Sequence, residues 1–197
     1  MTLVFGLTGG IATGKSTVAA YLTKAGIPIV DADIAAREVV KKGTKGLASI
    51  VETFGPELLL EDGNLDRKKL GSLIFGNDEA RLKLNGLLHP NIFEWIEAEK
   101  EALIKQGAPI IMLDIPLLFE TTSDYKVDQV MLVYTTPEIQ LSRLMARNHL
   151  TEKEALERIN SQAPIDDKKG WADIVIDNSF SLEETYAQLD DWLKNVK

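Results

Sequence analysis

The sequence predicts an α/β fold in which helices cover both faces of a five-stranded parallel sheet. Five short apolar runs of strand-like composition recur along the 197 residues, and amphipathic helical patterns separate them. Helical connections of this kind join parallel strands, and strands that are buried on both faces are apolar throughout rather than alternating. The five predicted strands are residues 3–7, 27–30, 108–114, 129–134 and 174–176.

A glycine-rich loop follows the first predicted strand and precedes a helical pattern. Gly9, Gly14, Lys15 and Ser16 fill every fixed position of the pattern G-x-x-x-x-G-K-[ST]. In such a loop the backbone N–H groups converge on phosphate oxygens, and the helix N-terminus adds partial positive charge. Lys15 would reach the β- and γ-phosphates, and the Ser16 hydroxyl would bind Mg²⁺ directly. The loop therefore predicts a nucleotide site with the N–H groups of residues 10–16 as donors.

A carboxylate and a guanidinium follow the second predicted strand. In this prediction Asp33 starts a helix, and Arg37 lies four residues later on the same face. Because ligands of open α/β sheets bind at the carboxyl ends of the strands, Asp33 can accept a hydroxyl proton there while Arg37 holds a phosphate. The alternative is that Asp33 caps the helix and that Arg37 is its surface partner.

Residues 34–105 lie between the second and third predicted strands and have the pattern of a mostly helical insertion. Helical patterns cover residues 35–42, 46–54, 67–75 and 78–105. Pro90 lies within the last of them and marks a break or the start of a new helix, because proline cannot donate the hydrogen bond of a helix interior. The lone His89 beside it favours a packed or capping role over ligand binding.

The third predicted strand ends in Asp114, where proteins with this kind of phosphate loop can hold Mg²⁺ through water. An ordinary turn residue is an equally good interpretation, since apolar strands often end in aspartate. The loop that follows, residues 115–120, is unusually apolar. It either packs beneath the nucleotide, lines an acceptor pocket or belongs to the core.

Gln140, Arg143 and Arg147 share one face of the helix predicted after the fourth strand. Two arginines at this spacing can bracket a transferring phosphoryl group if this segment closes as a lid. The alternative is a solvated helix face that carries no catalytic role.

Composition argues against several classes of partner. The formal net charge of −8 argues against nucleic acids and acidic membranes, because such binding neutralises many phosphates with Lys and Arg. The chain has no cysteine, so we expect neither disulfides nor a thiolate metal site. We find no leader-like segment and no apolar run of about 18 residues, and we therefore expect a cytoplasmic protein. We also expect it to be monomeric or weakly homo-oligomeric.

Five motifs make the chain similar to the dephospho-coenzyme A kinase family over essentially its full length. They are residues 7–16, Asp31-Ala32-Asp33 with Ala36-Arg37, His89-Pro90, Pro116-Leu117-Leu118-Phe119-Glu120 and Val175-Ile176-Asp177-Asn178-Ser179. The resemblance implies ATP-dependent phosphorylation of the ribose 3′-hydroxyl of dephospho-CoA, the last step of CoA synthesis. It also implies one three-layer P-loop kinase domain, with a core (about 1–33, 106–137 and 163–197), a helical acceptor part (about 34–105) and a lid (about 138–162).

The residue patterns and the resemblance together assign expected roles. The expected catalytic residues are Asp33 as the base, with Lys15, Arg143 and Arg147. The expected ATP contacts are Gly10, Ile11, Ala12, Thr13, Gly14, Lys15, Ser16, Thr17 and Asn178. The expected acceptor contacts are Thr8, Asp33, Arg37, His89, Leu117, Phe119 and Glu120, and Mg²⁺ is expected on Ser16 directly and on Asp114 through water.

Two positions depart from the family pattern. Members often have Gly-Ser where this chain has Ala12-Thr13, and a glycine commonly stands where this chain has Phe180, near the expected adenine contact of Asn178. The phosphate loop alone leaves two other functions open. One is a kinase for another small acceptor, such as a nucleoside monophosphate or shikimate, and the other is a nucleotide-dependent switch.

Overall fold

The computed structural model describes residues 2–121 and 124–196, and within them the predicted α/β fold is confirmed. The strands are β1 (Leu3–Gly9), β2 (Ile29–Asp31), β3 (Ile110–Asp114), β4 (Gln129–Tyr134) and β5 (Ile174–Asp177). They form one sheet in the order β2-β3-β1-β4-β5. Strand β1 pairs in parallel with both β3 and β4, and β4 pairs in parallel with β5.

The register of the sheet brings the ends of the central strands to one edge. Leu7 of β1 lies opposite Asp114, the last residue of β3, and Gly9 lies opposite Val133 of β4. Side chains and loops at these strand ends therefore share the edge at which ligands of open α/β sheets bind.

The helices follow the strands as the sequence patterns predict, with differences at their ends. They are α1 (Lys15–Lys24), α2 (Ala32–Glu38), α3 (Lys45–Phe54), α4 (Arg67–Ile74), α5 (Asp78–Lys105), α6 (Pro137–Asn148), α7 (Glu152–Asn160), α8 (Ile165–Trp171) and α9 (Leu182–Val196). A 3₁₀ turn, Pro56–Leu58, lies between α3 and α4. No helix in the described ranges is long and apolar enough to cross a membrane.

The chain divides into two compact units. We call residues 31–102 the helical unit and the remaining described residues the sheet unit. Helices α2 to α4 and most of α5 form the helical unit. Its core joins α3, α4 and α5 through buried leucines such as Leu47, Leu70 and Leu84, which supplies the apolar burial that a stable helical unit needs.

The core of the sheet unit fixes the helix that follows the phosphate loop. Phe5 and Leu7 of β1 are buried in one cluster with Val18 of α1 and Leu189 of α9. The Trp192 ring meets the Phe5 ring edge-on, with centroids 5.1 Å apart. Because α1 is held on the sheet by this packing, the loop between β1 and α1 is held at both ends.

Helix α5 corrects the prediction of a break at Pro90. It runs without interruption from Asp78 to Lys105, with Pro90 in its interior. Proline removes the backbone donor that would bond the Gly86 carbonyl oxygen, and the Asn91 side chain, which donates from Nδ2 to the Leu87 carbonyl oxygen at 2.8 Å, does not replace it. Gly86, His89 and Pro90 are all exposed, so α5 passes Pro90 on its solvent-facing side.

Candidate active site

The phosphate loop has the geometry of an anion site. Strand β1 ends at Gly9 and α1 begins at Lys15, so the loop lies directly at a helix N-terminus. Gly14 adopts the left-handed conformation, with φ of 92°, and no side chain caps α1 within the described residues. The Thr17 N–H donates to the Gly14 carbonyl oxygen at 2.9 Å, which leaves the N–H groups of Lys15 and Ser16 in the first turn for an anionic ligand.

Asn178, the residue after β5, holds the phosphate loop through its side-chain amide. Its Nδ2 donates to the Thr13 carbonyl oxygen at 2.7 Å, and its Oδ1 accepts from the Thr185 hydroxyl at 2.9 Å. A Cβ at Gly14 would collide with the same amide nitrogen. Asn178 is buried, and both ends of its amide are used within the protein, one by the loop and the other by Thr185 of α9.

Two glutamines bond the backbone of a single loop residue, Ile11. Gln140 of α6 donates from Nε2 to the Ile11 carbonyl oxygen at 2.7 Å. The Ile11 N–H donates to Oε1 of Gln162, two residues beyond the end of α7, at 2.9 Å. Both backbone groups of this residue are therefore engaged by side chains from elements far along the chain.

Lys15 and Asp114 form an ion pair across the strand ends. Asp114 closes β3 and is 4% exposed, and its Oδ1 contacts the Lys15 ammonium. Ser16, the next residue, is exposed at the start of α1. Hydroxyl and carboxylate oxygens are ligands that suit Mg²⁺. The described ranges contain no cluster of three or more His, Cys, Asp or Glu that could hold a metal ion.

The loop after β3 is tied to α8 rather than being open on all sides. Glu120 Oε1 lies 2.5 Å from the ammonium of Lys168, which is fully buried, and also accepts from the Ala163 N–H at 3.2 Å. The ring of Phe119 meets Trp171 edge-on at 5.5 Å. Part of this loop therefore packs against α8. For Phe119 this packing favours the interpretation that the loop belongs to the core.

Other residues expected at the acceptor site differ in exposure. Leu117 is 43% exposed, so its side chain remains accessible to a ligand. Thr8 is fully buried, and its hydroxyl donates to the Pro116 carbonyl oxygen at 3.1 Å. His89 is exposed on α5. The structure thus leaves Leu117 and His89 accessible and uses the Thr8 hydroxyl to hold the loop after β3.

Helix α8 is also anchored to the sheet through Tyr134. The Tyr134 hydroxyl donates to Asp166 Oδ1 at 2.9 Å, and the ammonium of Lys169 lies 4.3 Å from the centroid of its ring. Burial, followed by the hydrogen bond to Asp166, raises the pKa of Tyr134 to about 12. The hydroxyl therefore keeps its proton at neutral pH and can donate to Asp166 there.

The predicted lid consists of α6 and α7, and each helix has a well-formed start. Thr136 caps α6 by accepting from the Ile139 N–H. Thr151 and Glu154 form a reciprocal capping box at the start of α7. Arg143 is partly buried, whereas Arg147 is exposed and donates from Nε to Asn148 Oδ1 at 2.9 Å.

In the helical unit, the structure corrects the capping interpretation of Asp33. Asp31 is the N-cap of α2, and its Oδ1 accepts from the backbone N–H groups of Asp33 and Ile34 at 2.7 and 3.3 Å. Asp33 lies inside the first turn, and its carboxylate forms no ion pair with Arg37. Both alternatives that we weighed against a functional role, a cap and a surface pair, are therefore absent at these described residues.

The sequence analysis missed the side chains that hold the site together. The sequence patterns predicted no role for Gln162, Lys168 or Thr185. They placed Gln140 only on the same helix face as Arg143 and Arg147. Gln140, Gln162 and Lys168 each contact a residue that is distant in sequence, by up to 151 positions for Gln162 and Ile11, whereas Thr185 bonds Asn178 only seven positions away. The only local signal was the placement of neutral amides and a lysine beside apolar positions that pack inward.

The comparisons with known proteins agree with this geometry. A model of the dephospho-CoA kinase family matches residues 3–184. The dephospho-CoA kinase of Listeria innocua is 54% identical over 189 residues, which cover 96% of this chain and 94% of that protein. The dephospho-CoA kinase of Enterococcus faecalis is 55% identical over 194 residues, which cover 98% and 97%. The solved dephospho-CoA kinase of Campylobacter jejuni aligns with a TM-score of 0.78 at 30% identity and covers 100% of this chain and 98% of its own. The chain belongs to the dephospho-CoA kinase family.

Proposed function

We propose that this kinase transfers the γ-phosphoryl group of ATP to the ribose 3′-hydroxyl of dephospho-CoA, which yields CoA and ADP. The observation that carries the donor side is the phosphate loop, whose uncapped backbone donors lie at the start of α1. Family membership supports dephospho-CoA as the acceptor. The net charge of −8 supports small-molecule partners rather than nucleic acid, and we propose that the protein acts in the cytoplasm as a monomer or weak homo-oligomer.

The loop residues hold the triphosphate before transfer. Among the expected donors of residues 10–16, the Ile11 N–H is engaged by Gln162 and the Thr13 N–H by the Gly10 carbonyl oxygen. The remaining N–H groups of the loop and of the start of α1 bind phosphate oxygens, and Lys15 exchanges its ion pair with Asp114 for the β- and γ-phosphates. Mg²⁺, when bound by Ser16 and through water by Asp114, would neutralise charge on these phosphates. Lys15, at the start of α1, and Asp114, at the end of β3, are already in contact, so the exchange needs only a movement of the Lys15 side chain.

Asp33 is the proposed base. The 3′-oxygen forms a bond to the γ-phosphorus as the bond from that phosphorus to the bridging oxygen of ADP breaks, and the hydroxyl proton passes to the Asp33 carboxylate. The exposed carboxylate has no hydrogen bond or ion pair among the described residues, so it is available for this role. Arg37, exposed on the same helix, binds a phosphate of the acceptor. His89 and Leu117 are proposed to contact the acceptor as well.

Arg143 and Arg147 supply positive charge as the phosphoryl group transfers. Both lie on α6, one and two helical turns beyond the glutamine that touches the phosphate loop. Because the transition state of phosphoryl transfer is loose, positioning and charge account for most of the rate enhancement. Closure of the lid over the site also excludes water and prevents hydrolysis of ATP.

An acceptor panel tests the proposal. Purified protein with MgATP is supplied separately with dephospho-CoA, its 3′-deoxy analogue, AMP and shikimate, and ADP and CoA are measured. We expect ADP formation to be stimulated by dephospho-CoA alone, with CoA as the stoichiometric product. Stimulation by the 3′-deoxy analogue, or greater stimulation by AMP or shikimate, would refute the proposed acceptor. Nucleotide-dependent partner binding without any stimulated turnover would indicate a switch.

A further inference from the structure

The two ends of the predicted lid meet the phosphate loop at one residue. Gln140 lies in the first turns of α6, and Gln162 follows α7, so they bracket the whole of the segment that carries Arg143 and Arg147. Gln140 is 2% exposed and bonds the Ile11 carbonyl oxygen, while Gln162 accepts from the Ile11 N–H. A segment that is held at both ends on one residue can rotate about that point without losing its connection to the loop.

The chemistry of the amide suits this place. Ile11 presents one donor and one acceptor, and a glutamine can satisfy either without adding charge. A glutamate at position 162 would also accept from the N–H, but it would place a negative charge beside the triphosphate. A lysine at position 140 would donate to the carbonyl oxygen, but it would compete for the phosphates. Two neutral amides therefore fix the loop to the lid and leave the field of the phosphate site unchanged.

Close packing holds Gln140 in place. A Cβ at Gly10 would lie 2.6 Å from Gln140 Nε2, so only glycine lets the amide lie against the loop. The backbone N–H of Gln140 donates to the Thr136 carbonyl oxygen at 2.9 Å, which sets the start of α6. The start of α6, which is this end of the predicted lid, is therefore held firmly against the phosphate loop.

The other end is rooted through α8. Ala163, next to Gln162, donates its N–H to Glu120, and Glu120 is paired with the buried Lys168. The hydroxyl of Tyr134 fixes the same helix to β4 through Asp166. The amide of Gln162 thus reaches Ile11 from a segment that is itself tied to the sheet.

The helical phase of α6 connects this clamp to the reaction. Arg143 and Arg147 follow Gln140 by three and seven residues, so all three side chains lie on one helix face, with the arginines about 4.5 and 10.5 Å further along the axis. Since Gln140 faces the loop, this phase turns the arginines toward the same side. We propose that Gln140 and Gln162 are positioning residues that pivot the lid on Ile11 and align Arg143 with the transferring phosphoryl group. The inference rests on the proposed role of Arg143.

The first test is kinetic. Gln162→Met and Gln140→Met retain side-chain volume but remove the hydrogen bonds, and Gln106→Met, at an exposed turn after α5, is the matched control. We expect kcat to fall about tenfold or more in the clamp variants, because small misplacements of catalytic groups cost up to about 100-fold. KM for ATP should change less than about threefold, and Gln106→Met should match the unmodified protein. A rise in KM for ATP with kcat unchanged would reduce the clamp to a support of the phosphate loop and overturn the proposal.

A double-mutant cycle asks whether the clamp acts through Arg143. If it does, Gln162→Met should lower kcat by less than about twofold when Arg143 is already methionine. Losses that multiply would show that Gln162 acts independently of Arg143, which contradicts the proposal. Because folded fraction enters both arms equally, a loss of stability alone cannot produce the expected result.

Amide hydrogen exchange provides a readout that needs no activity. In the nucleotide-free protein we expect the Ile11 N–H to exchange slowly and to exchange at least about tenfold faster in Gln162→Met, with no change in Gln106→Met. Rapid exchange of Ile11 in the unmodified protein would overturn the clamp itself. Failure of the proposed function would be visible separately, since the unmodified protein would then form no ADP with dephospho-CoA while the exchange result would stand.

Discussion

The phosphate loop and helix α2 carry the two halves of the proposed reaction, and they are built in opposite ways. The loop is tied by side chains on several of its residues, including the amide of Asn178 on Thr13 and the carboxylate of Asp114 on Lys15. On α2, Asp33 and Arg37 are exposed, and their side chains make no hydrogen bond or ion pair with the described residues.

The difference separates preorganisation from availability. A cradle that binds phosphate through backbone groups has to be rigid before the ligand arrives, because disordered donors would have to be ordered at the expense of binding. A base has to be accessible to the hydroxyl of its substrate, so a carboxylate already engaged by protein partners would be a poor one. We therefore expect changes in the loop to alter stability and ATP binding together, and changes on α2 to alter catalysis or acceptor binding without altering stability or ATP binding.

The largest expected effect comes from α2. Asp33→Asn removes the proposed base, and we expect kcat to fall about 10²- to 10⁴-fold while ATP affinity and the melting temperature remain unchanged. Asp167→Asn, which alters an exposed carboxylate on α8, serves as the control. Near-normal transfer by Asp33→Asn would show that Asp33 is not the base. It would also contradict the view that α2 supplies an available catalytic carboxylate.

The second prediction concerns a tie on the loop. Asn178→Ala leaves the Thr13 carbonyl oxygen without its buried side-chain donor, a loss that costs about 1–3 kcal/mol, while the Thr185 hydroxyl keeps the Ser181 carbonyl oxygen as an acceptor at 3.1 Å. We expect the free energy of unfolding to fall by about this amount in denaturant titrations. The ratio kcat/KM for ATP should fall about tenfold or more in parallel. Asn160→Ala, at the exposed end of α7, should change neither quantity. A loss of stability with ATP kinetics unchanged would mean that the tie does not order the loop.

The third prediction tests Arg37 as a phosphate ligand. Arg37→Lys keeps the charge but loses the planar fork that binds phosphate oxygens in pairs, so we expect KM for dephospho-CoA to rise about tenfold. KM for ATP and the melting temperature should not change. Arg81→Lys, in an exposed pair with Asp78 on α5, is the matched control. An equal rise in KM for ATP would show that Arg37 serves the donor side instead.

The smallest effect is expected at an exposed tie on the lid. The hydroxyl of Thr151, followed by its backbone N–H, holds the pKa of the Glu154 carboxyl below its ordinary value of 4.5. The stabilisation is therefore present above pH 4.5 and is lost as the pH falls through the lowered pKa. We expect Glu154→Gln to lower the melting temperature by at most about 2 °C at pH 7, with the difference vanishing in strong acid. A large shift would show that exposed ties matter as much as buried ones.

How far the sequence predicts the site depends on how local each feature is. The phosphate loop lies in eight consecutive residues, so the motif and its flanks were enough to place it. At the start of α2 the rule for helix caps pointed to Asp33, whereas the structure shows that Asp31 is the cap. The clamp on Ile11 joins residues 129 and 151 positions apart, and no local pattern encodes that contact.

The continuity of α5 shows a different limit. The rule that proline ends a helix is correct in its physics, but it does not anticipate that Pro90 would lie on the exposed side of a helix that is buried through Leu84 and Ile96 on either side of it. The helical unit therefore contains one continuous helix where the proline rule predicted a break. Its prediction as helical was confirmed, while the boundary within it was wrong.

The order of strands in the sheet has a consequence for synthesis on the ribosome. Central strand β1 pairs from Leu3 with Ile110 of β3 and from Phe5 with Gln129 of β4. At about 5–20 residues per second, roughly 5–20 s separate the emergence of β1 from that of its first central neighbour. The helical unit, which is continuous in sequence, can fold within that interval. The strand that leads into the phosphate loop is thus synthesised early but pairs with its neighbours late. During this interval its apolar residues are exposed, and only chaperones or the short length of the strand limit its mispairing.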